Sequence, residues 1–300
     1  MRNLEVSAGK IQMSNPVIIA SGVVAVNGDG LEDAMRYEPG AVVTKSTGVK
    51  GNQGYLTPNI AVVRYGIINS MGLPNPGADE FRSCLEGMER RCPVICSLYG
   101  SSPDEYIQSM EILDGVCDGF ELNFSCPHAR RGHGGLNVAS DPSLVREIVD
   151  GVCGATDLPV WVKLPFHHEL PGLADISLSH GASALTLINT LPAMDIDIYS
   201  RSPVLHNVYG GLSGPCIFPV ALRCVHLIYR EYGADIIGCG GVSSGEDIIK
   251  MMMAGARAVE VGTVMFRRGP RVVQDLKREL QDLLEQLDAD IDDILGAAHG

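Results

Sequence analysis

The feature that most constrains this chain is a series of short apolar runs, each followed by a polar or glycine residue and then a helical pattern. The runs are Pro16 to Ala20, Ala41 to Thr44, Val94 to Leu98, Val116 to Leu122, Val160 to Val162, Ala184 to Ile188, Asp235 to Gly238 and Ala258 to Val261. Near-continuous apolar runs are typical of strands buried on both faces of a parallel sheet. Eight such units predict an α/β fold, a (β/α)₈ TIM barrel. The alternative is a doubly wound open sheet, which usually has fewer strands.

Helix-start signals follow several of these runs. Ser102-Pro103-Asp104-Glu105 is a capping box with proline at the first helical position. Asp141-Pro142 and Ser243-Ser244-Gly245-Glu246 predict two further helix starts. Ahead of the first run, residues 4–13 alternate and turn at Ala8-Gly9-Lys10, which predicts a leading hairpin.

Two connections are too long for plain loops between a strand and its helix. Residues 47–77 follow the second run, and residues 191–216 follow the sixth. Long structureless connections in a compact domain are usually functional, so we expect both to cross the top face of the barrel. The chain is thus predicted to be a single domain over 1–300, with the barrel at about 15–266 and an acidic C-terminal helix at about 270–296.

Composition excludes several functional classes. The net charge of −13 argues against a nucleic-acid surface, which needs a basic patch. The nine cysteines form no Cys-x-x-Cys pair, so no zinc or iron–sulfur site is expected, and no metal ligands are assigned. Neither a signal peptide nor an apolar run of membrane-spanning length is evident. We therefore expect a cytoplasmic protein with reduced thiols and no membrane partner.

The fourth run leads into the most suggestive loop. Its sequence is Glu121-Leu122-Asn123-Phe124-Ser125-Cys126-Pro127-His128, followed by a glycine-rich stretch. A thiol on such a loop, at the C-terminal end of a barrel strand, is well placed to meet a ligand. The alternative is that Cys126 is a buried structural cysteine, because free cysteine is among the most buried residue types.

Cationic and amide side chains end other runs. Lys45 and Lys163 each follow a buried strand directly, and Asn69, Asn123 and Asn189 are expected at the same mouth. Each alone could be a surface charge or a turn residue. Two inward lysines with little acid nearby predict an anionic ligand, or a flavin that becomes anionic on reduction. The amides suit a planar ring with alternating donors and acceptors, such as a pyrimidine.

Glycine turns follow the last two strands. Gly240-Gly241 and Gly262-Thr263 stand where TIM barrels usually bind a phosphate, although such glycines could simply make tight turns. Gly210 to Gly214 is interpreted as a third, flexible turn that could close over the same group. The segment Asn69 to Asn75 could lay backbone N–H groups along a carboxylate. No GxGxxG fingerprint follows the first strand, so a Rossmann dinucleotide site is not expected.

These residues resemble the dihydroorotate dehydrogenase family, class 1, and within it the 1B type. The resemblance extends from Asn15-Pro16 to Phe266. It is carried by Thr44-Lys45-Ser46, Asn69 to Gly77, Glu121 to Pro127, Val162-Lys163-Leu164, Ile188-Asn189-Thr190, Gly210 to Gly214, Ile237 to Val242 and Val261-Gly262-Thr263. It implies an FMN-dependent oxidoreductase that oxidises (S)-dihydroorotate to orotate in de novo pyrimidine (UMP) biosynthesis.

The resemblance also assigns residues to the ligands. It places FMN on Ala20, Ser21, Lys45, Ser46, Ser97, Asn123, Lys163, Ile188, Gly214, Gly240, Gly241, Gly262 and Thr263. It places the substrate on Lys45, Asn69, Met71, Gly72, Leu73, Asn75, Asn123, His128, Asn189 and Thr190. Cys126 takes the position of the class 1 catalytic base, which removes a proton from C5 of dihydroorotate while C6 delivers hydride to the flavin.

One position departs from the pattern. Many class 1 members carry asparagine directly after Ser-Cys-Pro, whereas this chain has His128. The same Ser-Cys-Pro-His string resembles that of dihydropyrimidine dehydrogenases, so reduction of another pyrimidine is an alternative. A flavin barrel similar to tRNA dihydrouridine synthases also uses a loop cysteine, but the acidic charge speaks against it.

The resemblance extends to partners. The 1B relatives pair with a separate electron-transfer subunit that carries FAD and a 2Fe–2S cluster, and their barrels form homodimers. We therefore expect a heterotetramer. This chain has neither a dinucleotide fingerprint nor a cluster-binding cysteine pattern of its own.

Overall fold

The structure is a computed structural model that describes residues 2–23, 28–124 and 138–300. Its strands are β1 (Val6–Ala8), β2 (Ile11–Met13), β3 (Val17–Ile19), β4 (Ala41–Val43), β5 (Lys50–Asn52), β6 (Ile60–Val63), β7 (Gly66–Asn69), β8 (Asn75–Gly77), β9 (Val94–Leu98), β10 (Gly119–Asn123), β11 (Val160–Leu164), β12 (Ala184–Leu187), β13 (Leu191–Ala193), β14 (Ile196–Asp197), β15 (Ser202–Pro203), β16 (Gly210–Ser213), β17 (Ile236–Cys239) and β18 (Ala256–Val261). Its helices are α1 (Gly28–Met35), α2 (Ala78–Leu85), α3 (Pro103–Leu113), α4 (Pro142–Ala155), α5 (Leu170–Ser179), α6 (Phe218–Tyr232), α7 (Gly245–Met253), α8 (Thr263–Arg268), α9 (Val272–Leu287) and α10 (Ile291–Ile294).

Eight strands close into a parallel barrel, as the apolar runs predict. The order around the barrel is β3-β4-β9-β10-β11-β12-β17-β18, and β18 pairs back with β3. Each barrel strand is buried along most of its length, because side chains fill the interior on one face and helices cover the other. The TIM-barrel prediction is confirmed.

The helix caps and the turn predicted from short stretches of sequence are present in the structure. Ser102 caps α3 by accepting a hydrogen bond from the backbone N–H of Glu105, and Asp141 caps α4 through two backbone N–H groups. The leading hairpin pairs β1 with β2 and turns through Gly9 and Lys10, which have φ values of 52° and 68°. The Trp161 indole donates to the Gly9 carbonyl at 3.2 Å, so the hairpin covers the N-terminal end of the barrel.

The two long connections contain strands, so the expectation that they are structureless is wrong. They contribute to one four-stranded sheet in the order β13-β16-β7-β6, and β5–β8 and β14–β15 form two small pairs. Gly210 to Gly214 is likewise not a flexible turn: Gly210–Ser213 is strand β16, which pairs with both β13 and β7. The pairing of β16 from one connection with β7 from the other completes the four-stranded sheet, so neither connection alone predicts it.

The acidic C-terminal segment is two helices rather than one. Helix α9 buries five apolar residues at helical spacing, Val272, Val273, Leu276, Leu280 and Leu284. It ends at Asp288, which has a left-handed φ of 49°, and Asp290 then caps α10. Asp282, Glu285, Asp292 and Asp293 are exposed, which agrees with a solvated helix face. Among the described residues, no helix is long and apolar enough to cross a membrane.

Candidate active site

A cavity of about 750 Å³ lies at the C-terminal ends of the barrel strands. The β6–β7–β16 part of the inserted sheet forms one side of it, and the turns after β17 and β18 form another. Its volume is within the range typical of small-molecule and cofactor sites. Most of the predicted site residues line it: Ala20, Ser21, Lys45, Ser46, Asn69, Met71, Gly72, Leu73, Asn123, Lys163, Ile188, Asn189, Thr190, Gly214, Gly240, Gly241, Gly262 and Thr263.

Lys163 reaches the cavity from β11, with its side chain 6% exposed. Its ammonium forms an ion pair with Glu260 of β18 and lies 3.5 Å from Glu121 Oε1 of β10. The expectation of little acid near the inward lysines is therefore wrong for Lys163. Both glutamates lie two residues before a predicted site residue, and alternation along a strand puts side chains two apart on one face. That alternation is the signal that would have found Glu121 and Glu260.

Burial shifts the protonation equilibria of this cluster. Burial and the neighbouring Glu260 carboxylate hold the pKa of Glu121 well above its usual range, and Lys163 and the Thr186 hydroxyl only partly oppose them. For Lys163, burial acts to lower the pKa, but Cys239, Glu121 and Glu260 outweigh it and the pKa is raised. Burial raises the pKa of the Cys239 thiol to about 12, although Lys163 opposes the rise. We call the part of the cavity lined by Lys163, Cys239 and Glu260 the cavity floor. It holds a charged ammonium, that of Lys163, and a neutral thiol, that of Cys239.

A chain of polar side chains orients Asn123 at the end of β10. The Asn123 amide donates to Ser46 Oγ at 3.1 Å, and the Asn189 amide donates to Asn123 Oδ1 at 3.3 Å. The Ser46 and Ser97 hydroxyls are hydrogen-bonded at 2.9 Å. Ser97 is fully buried behind Ser46 and is not among the residues that line the cavity. The structure thus brings Asn123 and Asn189 together, as predicted, and gives Ser97 a supporting position.

The glycine turns after β17 and β18 line the cavity next to the end of β16. Gly240 and Gly241 have φ values of 123° and 84°, a backbone conformation that residues other than glycine rarely adopt. A Cβ atom added to Gly241 would lie 2.8 Å from both the Gly214 carbonyl oxygen and the Phe218 nitrogen. The Thr263 hydroxyl donates to Ser213 Oγ at 2.8 Å, which ties α8 to β16. These contacts leave no room for a side chain at Gly241, and both Gly240 and Gly241 line the cavity.

The segment from Asn69 to Asn75 leaves β7 and runs along the cavity. Asn69 donates to the Gly211 carbonyl at 3.4 Å, and Gly72 has a left-handed φ of 73°. Asn75 donates to the Leu73 carbonyl at 2.9 Å and to the Tyr99 hydroxyl at 3.0 Å. Asn75 is buried and is not among the residues that line the cavity, so it fixes the segment from behind.

Several lining residues were not predicted from the sequence. Besides Glu260 and Cys239, they include Ser243, Arg267 and Arg268. Arg268 donates to the Ser243 carbonyl at 3.0 Å and pairs with Glu279 at 3.1 Å, so it joins the last barrel turns to α9. Cys126 and His128, the predicted base and its neighbour, lie outside the described residues. Within the described ranges, no group of three or more His, Cys, Asp or Glu side chains could hold a metal ion.

Comparisons with known proteins agree with this architecture. The family model described as dihydroorotate dehydrogenase matches residues 3–284. The chain is 40% identical, over 99% of its length and 98% of the relative's, to the dihydroorotate dehydrogenase B (NAD(+)) catalytic subunit of Methanothermobacter thermautotrophicus. It is 39% identical to the subunit of the same name from Archaeoglobus fulgidus, with both chains covered completely.

A solved structure extends the likeness to three dimensions. The crystal structure of a DHODH from Eimeria tenella in complex with ferulenol superposes with a TM-score of 0.84. The match covers 99% of this chain and 89% of that one at 24% sequence identity, and it supports the fold.

Proposed function

This chain belongs to the dihydroorotate dehydrogenase family, and we propose that it oxidises (S)-dihydroorotate to orotate as the catalytic subunit of a B-type enzyme in pyrimidine biosynthesis. The observation that carries the proposal is one cavity lined by Lys45, Lys163, Asn69, Asn123 and Asn189. These are the cations and amides that a planar, anionic pyrimidine requires.

The family is flavin-dependent, and the cavity fits FMN. The phosphate would lie on the backbone of Gly240, Gly241, Gly262 and Thr263, all of which line the cavity. The ring would meet Ala20, Ser21, Lys45, Asn123 and Lys163, with Ser46 and Ile188 beside it. The Lys163 ammonium at the cavity floor suits the anionic edge of a reduced flavin. When bound, FMN would supply the hydride acceptor.

The substrate would bind between that ring and the inserted sheet. Asn69, Asn123 and Asn189 each offer a carbonyl acceptor and an amide donor to a pyrimidine edge. Asn123 and Asn189 are already linked at 3.3 Å, so their orientations are set before substrate binds. Met71, Gly72 and Leu73 would run along the carboxylate, with Thr190 on the other side and Asn75 holding the segment.

Proton removal is assigned to Cys126. Its thiolate would take the proton from C5 of dihydroorotate, and nearby cations would favour the thiolate by lowering the pKa of the thiol. His128 would hydrogen-bond the pyrimidine edge in place of an asparagine, since a neutral imidazole offers one donor and one acceptor. The loop around Cys126 would have to exclude water while the proton moves.

We expect the purified chain to hold one FMN, bound non-covalently. Heat-released cofactor should co-elute with FMN on chromatography, and flavin-free protein should bind FMN much more tightly than riboflavin, which lacks the phosphate. Equal affinity for both would show that the glycine turns do not bind a phosphate. Release of FAD, or no flavin binding at all, would contradict the cofactor assignment.

The name "catalytic subunit" of the relatives implies a separate partner, and we propose that this partner carries FAD and a 2Fe–2S cluster. The barrel would form a homodimer to which two such subunits bind. The segment between β14 and β15 is the part of the chain that we expect to contact a partner, because the residues Ile198 and Tyr199 there are 75% and 91% exposed. Large exposed apolar side chains close together are typical of protein contacts.

We expect the chain alone to oxidise dihydroorotate with an artificial dye, but to show negligible turnover with NAD. The physical reason is that it has no dinucleotide fingerprint to bind NAD next to the flavin. Steady-state assays with NAD, fumarate and a dye would test this. Fast turnover with NAD would refute a two-subunit enzyme, whereas fast turnover with fumarate would indicate the 1A type.

A further inference from the structure

Two buried carboxyl groups lie beside the Lys163 ammonium, and of the two Glu260 lines the cavity whereas Glu121 does not. Glu121 of β10 and Glu260 of β18 are 0% and 2% exposed, and Lys163 of β11 lies between them. The register places Lys163 level with Thr186, whose hydroxyl donates to Glu121 Oε2 at 2.9 Å. Cys239 of β17 is level with Glu260. Ser97 of β9 is level with Glu121, so Ser97, Thr186 and Cys239 are polar groups that the barrel strands place beside the two carboxyls.

The charges of this cluster do not balance if every acid is ionised. Two carboxylates and one ammonium leave a net negative charge on three side chains that are almost fully buried. An uncompensated buried charge is strongly unfavourable, and a group in that situation usually becomes neutral instead. Cys239 cannot restore the balance, because it carries no positive charge in either of its forms.

The contacts indicate which acid is neutral. Glu260 pairs directly with Lys163, whereas Glu121 is the more distant partner at 3.5 Å. Among the described residues, the buried oxygens Glu121 Oε1 and Glu260 Oε1 have no hydrogen-bond partner, although both side chains lie beside Lys163, which pairs with Glu260 Oε2 and lies 3.5 Å from Glu121 Oε1. A proton on Glu121 removes the second negative charge from the cluster and gives this carboxyl an O–H that a neighbouring carboxylate such as Glu260 could accept.

We propose that Glu121 is a neutral carboxylic acid at physiological pH, and that with Glu260 it holds the Lys163 ammonium in place at the cavity floor as an electrically neutral cluster. Glu121 and Glu260 are then positioning residues that act through Lys163. This role deepens the proposed function and rests on it, because the ammonium is what a flavin would meet. The protonation of Glu121 does not depend on that function.

The first test uses flavin-free protein and infrared spectroscopy at about pH 8, where exposed carboxyls are ionised. We expect the wild type to show the C=O stretch of a carboxylic acid, shifted by exchange into D₂O. Glu121→Gln should lose this signal, and Glu147→Gln, at an exposed position of α4, should keep it. Absence of the signal from the wild type would overturn the proposal, even if no variant folded and no flavin bound.

The second test measures the reduction potential of flavin bound to each variant. Glu121→Gln replaces one neutral group by another, so the potential should match that of the wild type. Glu260→Gln removes the carboxylate closest to Lys163 and leaves Glu121, whose Oε1 lies 3.5 Å from the ammonium. Even when Glu121 then releases its proton, this more distant carboxylate should screen the ammonium less, so the ammonium should stabilise the anionic reduced flavin more strongly and raise the potential. Equal shifts in both variants would refute the assignment of Glu121 as the neutral member.

Discussion

Replacement of Cys126 by serine is expected to slow the reduction of bound flavin by dihydroorotate by about 10²- to 10⁴-fold near neutral pH, the usual range for loss of general-base assistance. Serine holds its proton far more tightly than a thiol whose pKa is lowered by nearby cations. The variant should still bind FMN, because none of the residues proposed to hold the cofactor is altered. Stopped-flow bleaching of the flavin under anaerobic conditions measures this rate directly.

A matched control for this variant is Cys216→Ser, since Cys216 is an exposed free cysteine. It should reduce flavin at the wild-type rate. The rate of Cys126→Ser should recover partly as the pH rises, because hydroxide in solution can then remove the proton. An unimpaired Cys126→Ser variant would mean that the base is another residue.

Replacement of Lys163 by methionine is expected to lower the free energy of unfolding by about 3–5 kcal/mol at neutral pH. That is the typical cost of removing one partner from a buried ion pair. Methionine fills much of the same volume, so the loss is mainly electrostatic: Glu121 and Glu260 would remain buried without a cation. Denaturation by urea, followed by circular dichroism, measures the change.

The effect of Lys163→Met should depend on pH in a defined direction. The pKa of Glu121 is already raised by burial and by Glu260, and loss of the Lys163 ammonium raises it further. A carboxyl whose pKa is higher in the folded than in the unfolded state makes its full contribution to the free energy of unfolding at low pH. That contribution is lost as the pH rises through the folded-state pKa. The variant should therefore be least impaired near pH 5, where carboxyls protonate more easily, and most impaired at alkaline pH.

The control is Lys250→Met on α7. Lys250 pairs with Glu246 at 2.6 Å, but both side chains are exposed, so the pair contributes little and the variant should unfold like the wild type. A Lys163→Met protein as stable as this control would show that the glutamates are not held by the ammonium.

Much of the barrel is predictable from the sequence because its signals are local. A run such as Val94–Leu98 is apolar on both faces, and this alone indicates a strand covered by helices. The Ser102 cap and the Gly9-Lys10 turn depend on residues a few positions apart. The inserted sheet was not predictable in the same way, because β16 pairs with β7 from a segment more than a hundred residues earlier.

The candidate site, too, was predictable from the sequence only in part. The sequence by itself determined which side chains end the strands, among them Lys45, Lys163 and Asn123, because strand ends in a parallel barrel meet at one mouth. Only the tertiary structure decided what surrounds them. Glu121 and Glu260 come from strands 139 positions apart in the chain, and barrel closure brings both against Lys163. The charge of the cavity floor is therefore a property of the closed barrel, since it depends on desolvation and on distances that no single strand sets.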